Sequence, residues 1–343
     1  MENLKRKLIV IGTDRLLFIN NSAVRNRQIE YSRDWNEVFI IVFSTKKFDP
    51  IKISENCTVY STNSLTKFNY ISSAIRIGKK IIKNIDEKQP ILISCQDPFE
   101  TALAGKSLIN LRKNSELLLQ IHTDLFSPYF VSKNIGYKNA FLNKIRLFIS
   151  KFTLPHAETI RVVSSKIAES LIEKGIDKSK IIVKPIEVKT DIIKNSTPAF
   201  NLKEKYPQFK KVVLMVSRLE TEKNIEMAIN AWRLVIDKNP DFGLIIVGSG
   251  RLTSKLKKMV YRLNLSEKVL FEGWKTDTVS YYKGSDALLV TSWYEGYGMV
   301  FKEAEAAGLK IVSTDVGIAK EIGARIVDWS PEKIAEGIIE VLK

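Results

Sequence analysis

The chain alternates short runs rich in isoleucine and valine with longer stretches of helical periodicity, and this alternation restricts the fold more than any other feature. In the first half the runs fall at residues 7–12, 38–43, 58–60, 91–94, 117–121, 159–163 and 181–183. In the second half they fall at 211–216, 242–247, 269–271, 287–291 and 310–313. They show little polar alternation, as expected of strands covered on both faces in a parallel sheet. Helical segments lie between them, for example at 68–85, 165–174 and 225–236. Strands joined through helices require right-handed crossovers, so the predicted class is α/β with doubly wound sheets. Residues 184–210 contain Pro185, Pro198 and Pro207 and read as a linker with a short helix. At 343 residues the chain is long for one core and comfortable for two. The predicted division is 1–188 and 189–343, with ligands at the carboxyl ends of strands.

Composition narrows the class. An apolar fraction of 45% with 27% charged residues is that of a globular protein rather than a disordered one. Cys57 and Cys95 form no Cys-x-x-Cys pair, and His122 and His156 lack metal-ligand spacing. Neither a disulfide framework nor a metal site is expected, and a reducing compartment follows. No apolar run reaches about 18 residues, and residues 1–7 lead into a strand-like run rather than a secretory leader. A cytoplasmic protein is therefore expected. Net charge is +16, unevenly spread: residues 1–190 hold 31 Lys/Arg against 18 Asp/Glu, the remainder 23 against 20. A basic first half implies an anionic partner, whether nucleic acid, a membrane surface or a phosphorylated substrate. A lysine-rich composition alone would not produce the asymmetry.

Four segments of the second half carry chemistry. Ser217-Arg218-Leu-Glu-Thr-Glu-Lys223-Asn224 follows a strand and precedes a helix, so two cations lie beside free helix N–H groups. Such a place suits a diphosphate, with Arg218 offering a planar donor fork and Lys223 a point charge. Taken alone the spacing also fits an exposed pair. Val247-Gly248-Ser-Gly250 lets a ligand or a helix approach the backbone at a strand end, or makes a simple tight turn, and it lacks the third glycine of a dinucleotide fingerprint. Phe271-Glu-Gly273-Trp274 closes another strand, where backbone groups could read a base edge and Trp274 could serve for packing. The fourth segment is Glu295-Gly-Tyr297-Gly298-Met299-Val300-Phe-Lys-Glu303, ending in an Ala-rich helix with Gly308 beyond it. The amides from Tyr297 to Val300 point along the helix axis, where anions and hydroxyl oxygens bind. Two carboxylates suit a ligand presenting many hydroxyl donors, such as a sugar joined to a ribose.

Residues 211–323 resemble the nucleotide-sugar domain of the retaining glycosyltransferases of family 4, which have the GT-B fold: two Rossmann-like doubly wound domains facing a central cleft. The resemblance rests on an ordered set. It comprises the Ser-Arg-Leu…Lys segment, the Val-Gly-x-Gly loop, the Phe-x-Gly strand end, the Glu-Gly-Tyr-Gly…Glu-Ala run and Ser313-Thr-Asp-Val-Gly317. It implies that Arg218 and Lys223 hold the donor diphosphate, that Glu295 contacts the transferred sugar, and that Glu303 contacts the ribose. It also implies sugar contacts from the backbone at Tyr297, Gly298 and Met299. The donor expected is a UDP-, GDP- or ADP-sugar, with no separate cofactor.

The first half resembles the family more loosely. Where the family has a Gly-rich loop after its first strand, this chain has the single Gly12, followed by Ser22-Ala-Val-Arg25-Asn-Arg27. Arg25 and Arg27 could bind an anion or begin a solvated helix. His122 lies just past a strand end, where the family commonly carries a histidine near the reacting centre; a capping or core role is the alternative. Arg161-Val-Val-Ser164 is similar to a family strand end.

Residues 125–157 contain no acid, and Lys133, Lys138, Lys144, Arg146 and Lys151 are interleaved with aromatic residues. At 3.6 residues per turn, Phe141, Leu142, Ile145, Phe148, Ile149 and Phe152 share one arc, with Lys144 and Lys151 on one edge and Arg146 on the other. This fits a helix lying on an anionic membrane surface through 133–152, or one packed on its own domain. A glycan or lipid-linked acceptor, and synthesis of a cell-surface polysaccharide or glycolipid, agree with either. No Asp-x-Asp motif occurs, so the expected reaction is metal-independent, with side-chain cations stabilising the leaving diphosphate. A sugar-nucleotide epimerase or a phosphorylase would share the fold. A nucleic-acid-binding protein is disfavoured by the near-neutral second half and the lack of a recognised nucleic-acid module.

Overall fold

The computed structural model describes residues 6–343. Residues 1–5, and with them most of the segment on which the leader reading rests, lie outside the described residues. The chain forms two compact units, each built on its own sheet.

The first unit comprises the chain through His122 together with Leu142–Val162 and Ala168–Lys184. Its strands are β1 (Lys7–Gly12), β2 (Glu37–Val42), β3 (Ile51–Ser54), β4 (Cys57–Ser61), β5 (Ile91–Cys95), β6 (Ser115–Ile121), β7 (Thr159–Val162) and β8 (Ile181–Val183). They lie in the order β3-β4-β2-β1-β5-β6-β7-β8, and every pairing is parallel except β3 with β4. The helices along this half of the chain are α1 (Ala23–Ser32), α2 (Tyr70–Lys83), α3 (Glu100–Ile109), α4 (Tyr137–Thr153) and α5 (Ser165–Glu173). The central strands are buried through Ile9, Ile11, Ile40, Ile41, Ile93 and Leu119, which explains their unbroken apolar runs. The sequence reading missed β3. It is four residues long, follows Pro50 and lies at the sheet edge, where Lys52 is exposed, so it carries little apolar signal.

The second unit comprises Thr123–Phe141, Val163–Ile167 and Pro185–Lys343. Two segments from the first half of the sequence thus belong to its packing. Its helices begin with α6 (Thr190–Asn195) and α7 (Leu202–Lys205), so the linker region holds two short helices rather than one. Then follow β9 (Lys211–Val216), α8 (Ile225–Lys238), β10 (Phe242–Val247), α9 (Thr253–Arg262), β11 (Val269–Gly273), α10 (Val279–Gly284), β12 (Ala287–Val290), α11 (Met299–Ala306), β13 (Lys310–Ser313), β14 (Arg325–Ile326) and α12 (Pro331–Leu342). The sheet order is β11-β10-β9-β12-β13-β14, parallel throughout. Order reverses direction beside β9 and β12, the place where a doubly wound sheet opens a crevice at its strand ends. Beneath it, Trp232 and Val235 of α8 pack with Ile334 and Ile338 of α12 against Val213, Met215, Leu244 and Ile246. Helix α12 starts on Ser330, whose hydroxyl accepts from the Lys333 amide at 3.1 Å, with Pro331 in the first turn.

Candidate active site

The loops after β9 and β12 meet at the switch point of the second sheet. The chain leaves β9 through Arg218, makes a 3-10 turn over Thr221–Lys223 and enters α8 through Asn224. Asn224 adopts φ 51°, a left-handed conformation that asparagine tolerates better than most residues. The β12 loop is fastened to this turn. The Thr291 hydroxyl donates to the carbonyls of Lys223 (3.2 Å) and Asn224 (3.0 Å), and the Trp293 amide donates to the Glu222 carbonyl at 2.8 Å. The fastening brings Lys223 and Glu295 together: Lys223 Nζ donates to Glu295 Oε1, and the Ser292 hydroxyl donates to the same oxygen at 2.8 Å. Both charged side chains are mostly buried. Arg218 is exposed and pairs with Glu222 at 2.9 Å.

Glu303 lies one and a half turns into α11 and is oriented by a residue the sequence reading missed. The buried Tyr282 of α10 donates its hydroxyl to Glu303 Oε2 at 2.6 Å. Burial, and then the adjacent Glu303 carboxylate, push the Tyr282 phenol well above its ordinary pKa. Tyr282 therefore acts as a neutral donor that fixes one carboxylate oxygen.

Backbone geometry does the rest at the start of α11. Gly298 has φ 80°, and a Cβ there would lie 2.6 Å from the Phe301 ring. Beyond it, the amides of Met299 and Val300 have no acceptor among the described residues and open the N-terminal end of α11 to an anion. Tyr297 is buried, and its carbonyl accepts from the Ile318 amide at 3.1 Å. Gly317, with φ 52°, permits that approach: a Cβ would stand 2.4 Å from the Tyr297 oxygen and 3.2 Å from the Glu295 Cβ.

Gly248 and Gly250 accommodate neighbouring backbone. A Cβ at Gly248 would fall 1.9 Å from the Ser217 carbonyl oxygen, and one at Gly250 would fall 2.4 Å from that of Leu219. These glycines set the path of the loop that carries Arg218. Gly273 has φ 73° with open space around it, and the adjacent Trp274 is exposed. In the first unit, Gly12 ends β1 against the Gln96 side chain, whose Oε1 accepts from the Thr13 amide at 3.2 Å. His122 ends β6 with an exposed edge. Desolvation by the atoms crowding its ring, and then the nearby Arg161 cation, hold the imidazole below its ordinary pKa. Arg161 Nε is itself buried without a hydrogen-bond partner.

Other partners of the Glu295 loop also escaped the sequence reading. The Ser164 hydroxyl donates to the Gly296 carbonyl at 2.9 Å, and the neighbouring Lys166 pairs at 2.8 Å with Asp315 of the loop after β13, both within the second unit. The Ser292 carbonyl accepts from the Thr314 hydroxyl at 2.8 Å and the Trp329 indole at 2.9 Å. Tyr129 packs on Trp293 and Trp329, with ring centroids 5.0 and 4.6 Å away. These partners lie 22 to 164 positions from the loop residues they touch, so no local spacing reveals them.

Residues 199–343, which hold Arg218, Lys223, Tyr282, Glu295 and Glu303, match the family of glycosyl transferases group 1. That segment has the sequence of a group 1 glycosyl transferase, and the protein is a transferase. It is 24% identical over 336 residues to an uncharacterized glycosyltransferase of Methanocaldococcus jannaschii, covering 92% of this chain and 76% of that one. Over 153 residues it is 33% identical to the UDP-Gal:alpha-D-GlcNAc-diphosphoundecaprenol alpha-1,3-galactosyltransferase of Escherichia coli, covering 42% of this chain and 39% of that one. The structure of Anabaena HepE in complex with UDP and glucose superposes with a TM-score of 0.69 at 15% identity, covering 98% of this chain and 89% of that chain. The transferase thus has the GT-B fold, with one sheet in each unit, parallel but for the β3–β4 pair.

Proposed function

We propose that this transferase moves a sugar from a nucleoside-diphosphate sugar to a hydroxyl of a glycan or lipid-linked acceptor, retaining the anomeric configuration and using no metal. The observation that carries the reading is the Lys223–Glu295 pair beside the open amides of Met299 and Val300. Cleaving the anomeric bond builds negative charge on the leaving diphosphate. Lys223, Arg218 and the α11 amides supply positive charge and N–H donors fixed in place before that charge develops, which is the most effective form of electrostatic catalysis. Glu295, already held by Ser292 and Lys223, accepts hydrogen bonds from the sugar hydroxyls. Glu303, held on one side by Tyr282, leaves its other oxygen for the ribose.

No side chain is assigned as a nucleophile; the acceptor attacks from the face that the leaving group vacates. Support for a sugar-nucleotide donor and a lipid-linked or glycan acceptor comes from the E. coli relative, a UDP-Gal:alpha-D-GlcNAc-diphosphoundecaprenol galactosyltransferase, and from HepE, which is seen in complex with UDP and glucose. The product is accordingly a cell-surface polysaccharide or glycolipid, made in the cytoplasm. The reading is tested by thermal denaturation with UDP-, GDP- and ADP-sugars in the presence of EDTA. One nucleotide class should raise the melting temperature, and Lys223→Ala should remove the rise. A rise that requires a divalent cation, or that survives Lys223→Ala, overturns the proposal.

A further inference from the structure

Helix α4 presents its large apolar side chains to solvent and its small and polar ones to the protein. Ala140, Asn143, Ser150 and Thr153 are buried, with the Ser150 hydroxyl returned to the Leu147 carbonyl at 2.8 Å and the Thr153 hydroxyl given to Pro98 at 2.5 Å. On the outside, Tyr137 is 75% exposed, Phe141 65% and Phe148 60%, and Leu142, Ile145 and Phe152 are exposed beside them. At 3.6 residues per turn these positions form one continuous arc of roughly 140°. Phe148 and Phe152 meet edge to face at 4.9 Å, so the arc is a joined apolar surface. Monomeric proteins seldom leave such a surface to water.

Charge selects its partner. Lys144 and Lys151 run along one edge, Lys138 stands within the arc, and the Lys133 ammonium lies 5.5 Å above the Tyr137 ring. Among the described residues, Lys138, Lys144 and Lys151 have no ion-pair partner, and residues 125–157 contain no acid. A second copy of the chain meeting this face about a two-fold axis would bring like charges together. Arg146, on the opposite edge, is already engaged. It pairs with Glu100 at 3.1 Å and lies over the Phe99 ring, so it belongs to the packed side of the helix rather than to the outer rim. Among the described residues no helix is long and apolar enough to cross a membrane.

We infer that α4 docks flat on an anionic lipid bilayer, with its aromatic arc in the interface and its lysine ammonium groups among the lipid phosphates. Aliphatic lysine stems bridge the two layers, as in amphipathic helices that lie in the interface plane. The inference does not depend on the sugar transferred or on the donor site.

The test is co-sedimentation of the full chain with vesicles of phosphatidylglycerol and phosphatidylcholine, and with vesicles of phosphatidylcholine alone. Binding to the first and not the second is expected. Phe141→Ser/Phe148→Ser and Lys144→Glu/Lys151→Glu should each weaken partitioning at least ~10-fold, while Arg146→Gln leaves it in place. Unchanged melting temperatures verify folding, as these side chains contact solvent. A second measurement uses Phe148→Cys carrying an environment-sensitive fluorophore. Cys57 and Cys95 are buried, and burial pushes the Cys57 thiol up to about 12, so only the new thiol labels near neutral pH. A blue shift on anionic vesicles supports docking. Failure to bind anionic vesicles, binding unchanged by the variants, or a dimer that Phe148→Ser dissociates would overturn the inference.

Discussion

The two sheets end differently. In the second unit, Glu295 is matched with Lys223 and Ser292, and Glu303 with the Tyr282 phenol. In the first unit, Arg161 keeps a buried Nε without a partner, and the nearby His122 is held towards its neutral form. The second sheet therefore presents a charge arrangement that is already assembled and needs only to exchange partners. The first presents an imidazole whose protonation state answers to burial and to the Arg161 charge beside it. Preassembly favours a group whose role is to meet developing charge, because no reorganisation is then needed during reaction. A group left responsive is the one expected to give the reaction its pH dependence.

The largest expected effect tests preassembly. Lys223→Ala should lower kcat by about 10²–10³-fold. Because it leaves Glu295 in a mostly buried position without its cation, it should also lower the melting temperature. Lys223→Met combined with Glu295→Gln should restore the melting temperature and leave turnover absent. Recovery of turnover in the double variant would show that the pair is structural, and would remove the main contrast between the two sheets.

A smaller effect belongs to the second carboxylate. Glu303→Gln should raise KM for the donor about 10-fold with little change in kcat, as expected for binding that is equal in ground and transition states. Tyr282→Phe should raise it about 5-fold, as expected if about 1 kcal/mol of the hydrogen bond that positions the carboxylate is lost. If Tyr282→Phe proves as damaging as Glu303→Gln, the phenol itself touches the donor.

The smallest effect lies in the first unit. With its pKa held below about 6.5, His122 is neutral near pH 7, and rate should fall on acidification with a midpoint under that value. Arg161→Gln should move the midpoint up, and His122→Gln should flatten the limb while costing only a few-fold in rate. The same sign governs stability: as pH falls through about 6.5, the unfolded chain takes up the proton before the folded one does, so stability declines. A pH–rate profile for the three proteins decides the matter; identical acid limbs would detach His122 from the reaction.

The placement of the Glu295–Glu303 run and of the Arg218–Lys223 segment at strand ends could be read from sequence, because there periodicity breaks and, around Glu295, glycines appear. The strands could be read for the same reason, down to the residue at β1, β9 and β13. What the sequence concealed was held by long-range contact. Nothing near Tyr282 announces that its hydroxyl meets Glu303, and nothing near Ser164 or Trp329 announces that both fix the loop before α11. The Gly248-x-Gly250 pair left ligand contact and a tight turn open, and the structure adds a constraint neither reading named: the backbone at Ser217 and Leu219 leaves no room for a Cβ at either glycine. Helical periodicity found the apolar arc of α4, but it could not say which face is packed, because an arc looks the same whether it meets a sheet or water. Arg146 shows the limit: the wheel places it on a rim, and Glu100 draws it inward.

Gly317 bears on how this transferase tolerates change. It carries no functional group, yet any side chain there would press on the carbonyl of Tyr297 and the Cβ of Glu295. In a library of single substitutions selected for activity, position 317 should be as strictly filtered as position 295. Two positions with one reactive group between them would then share one signature of intolerance, and only folding measured apart from turnover separates the residue that acts from the residue that yields room.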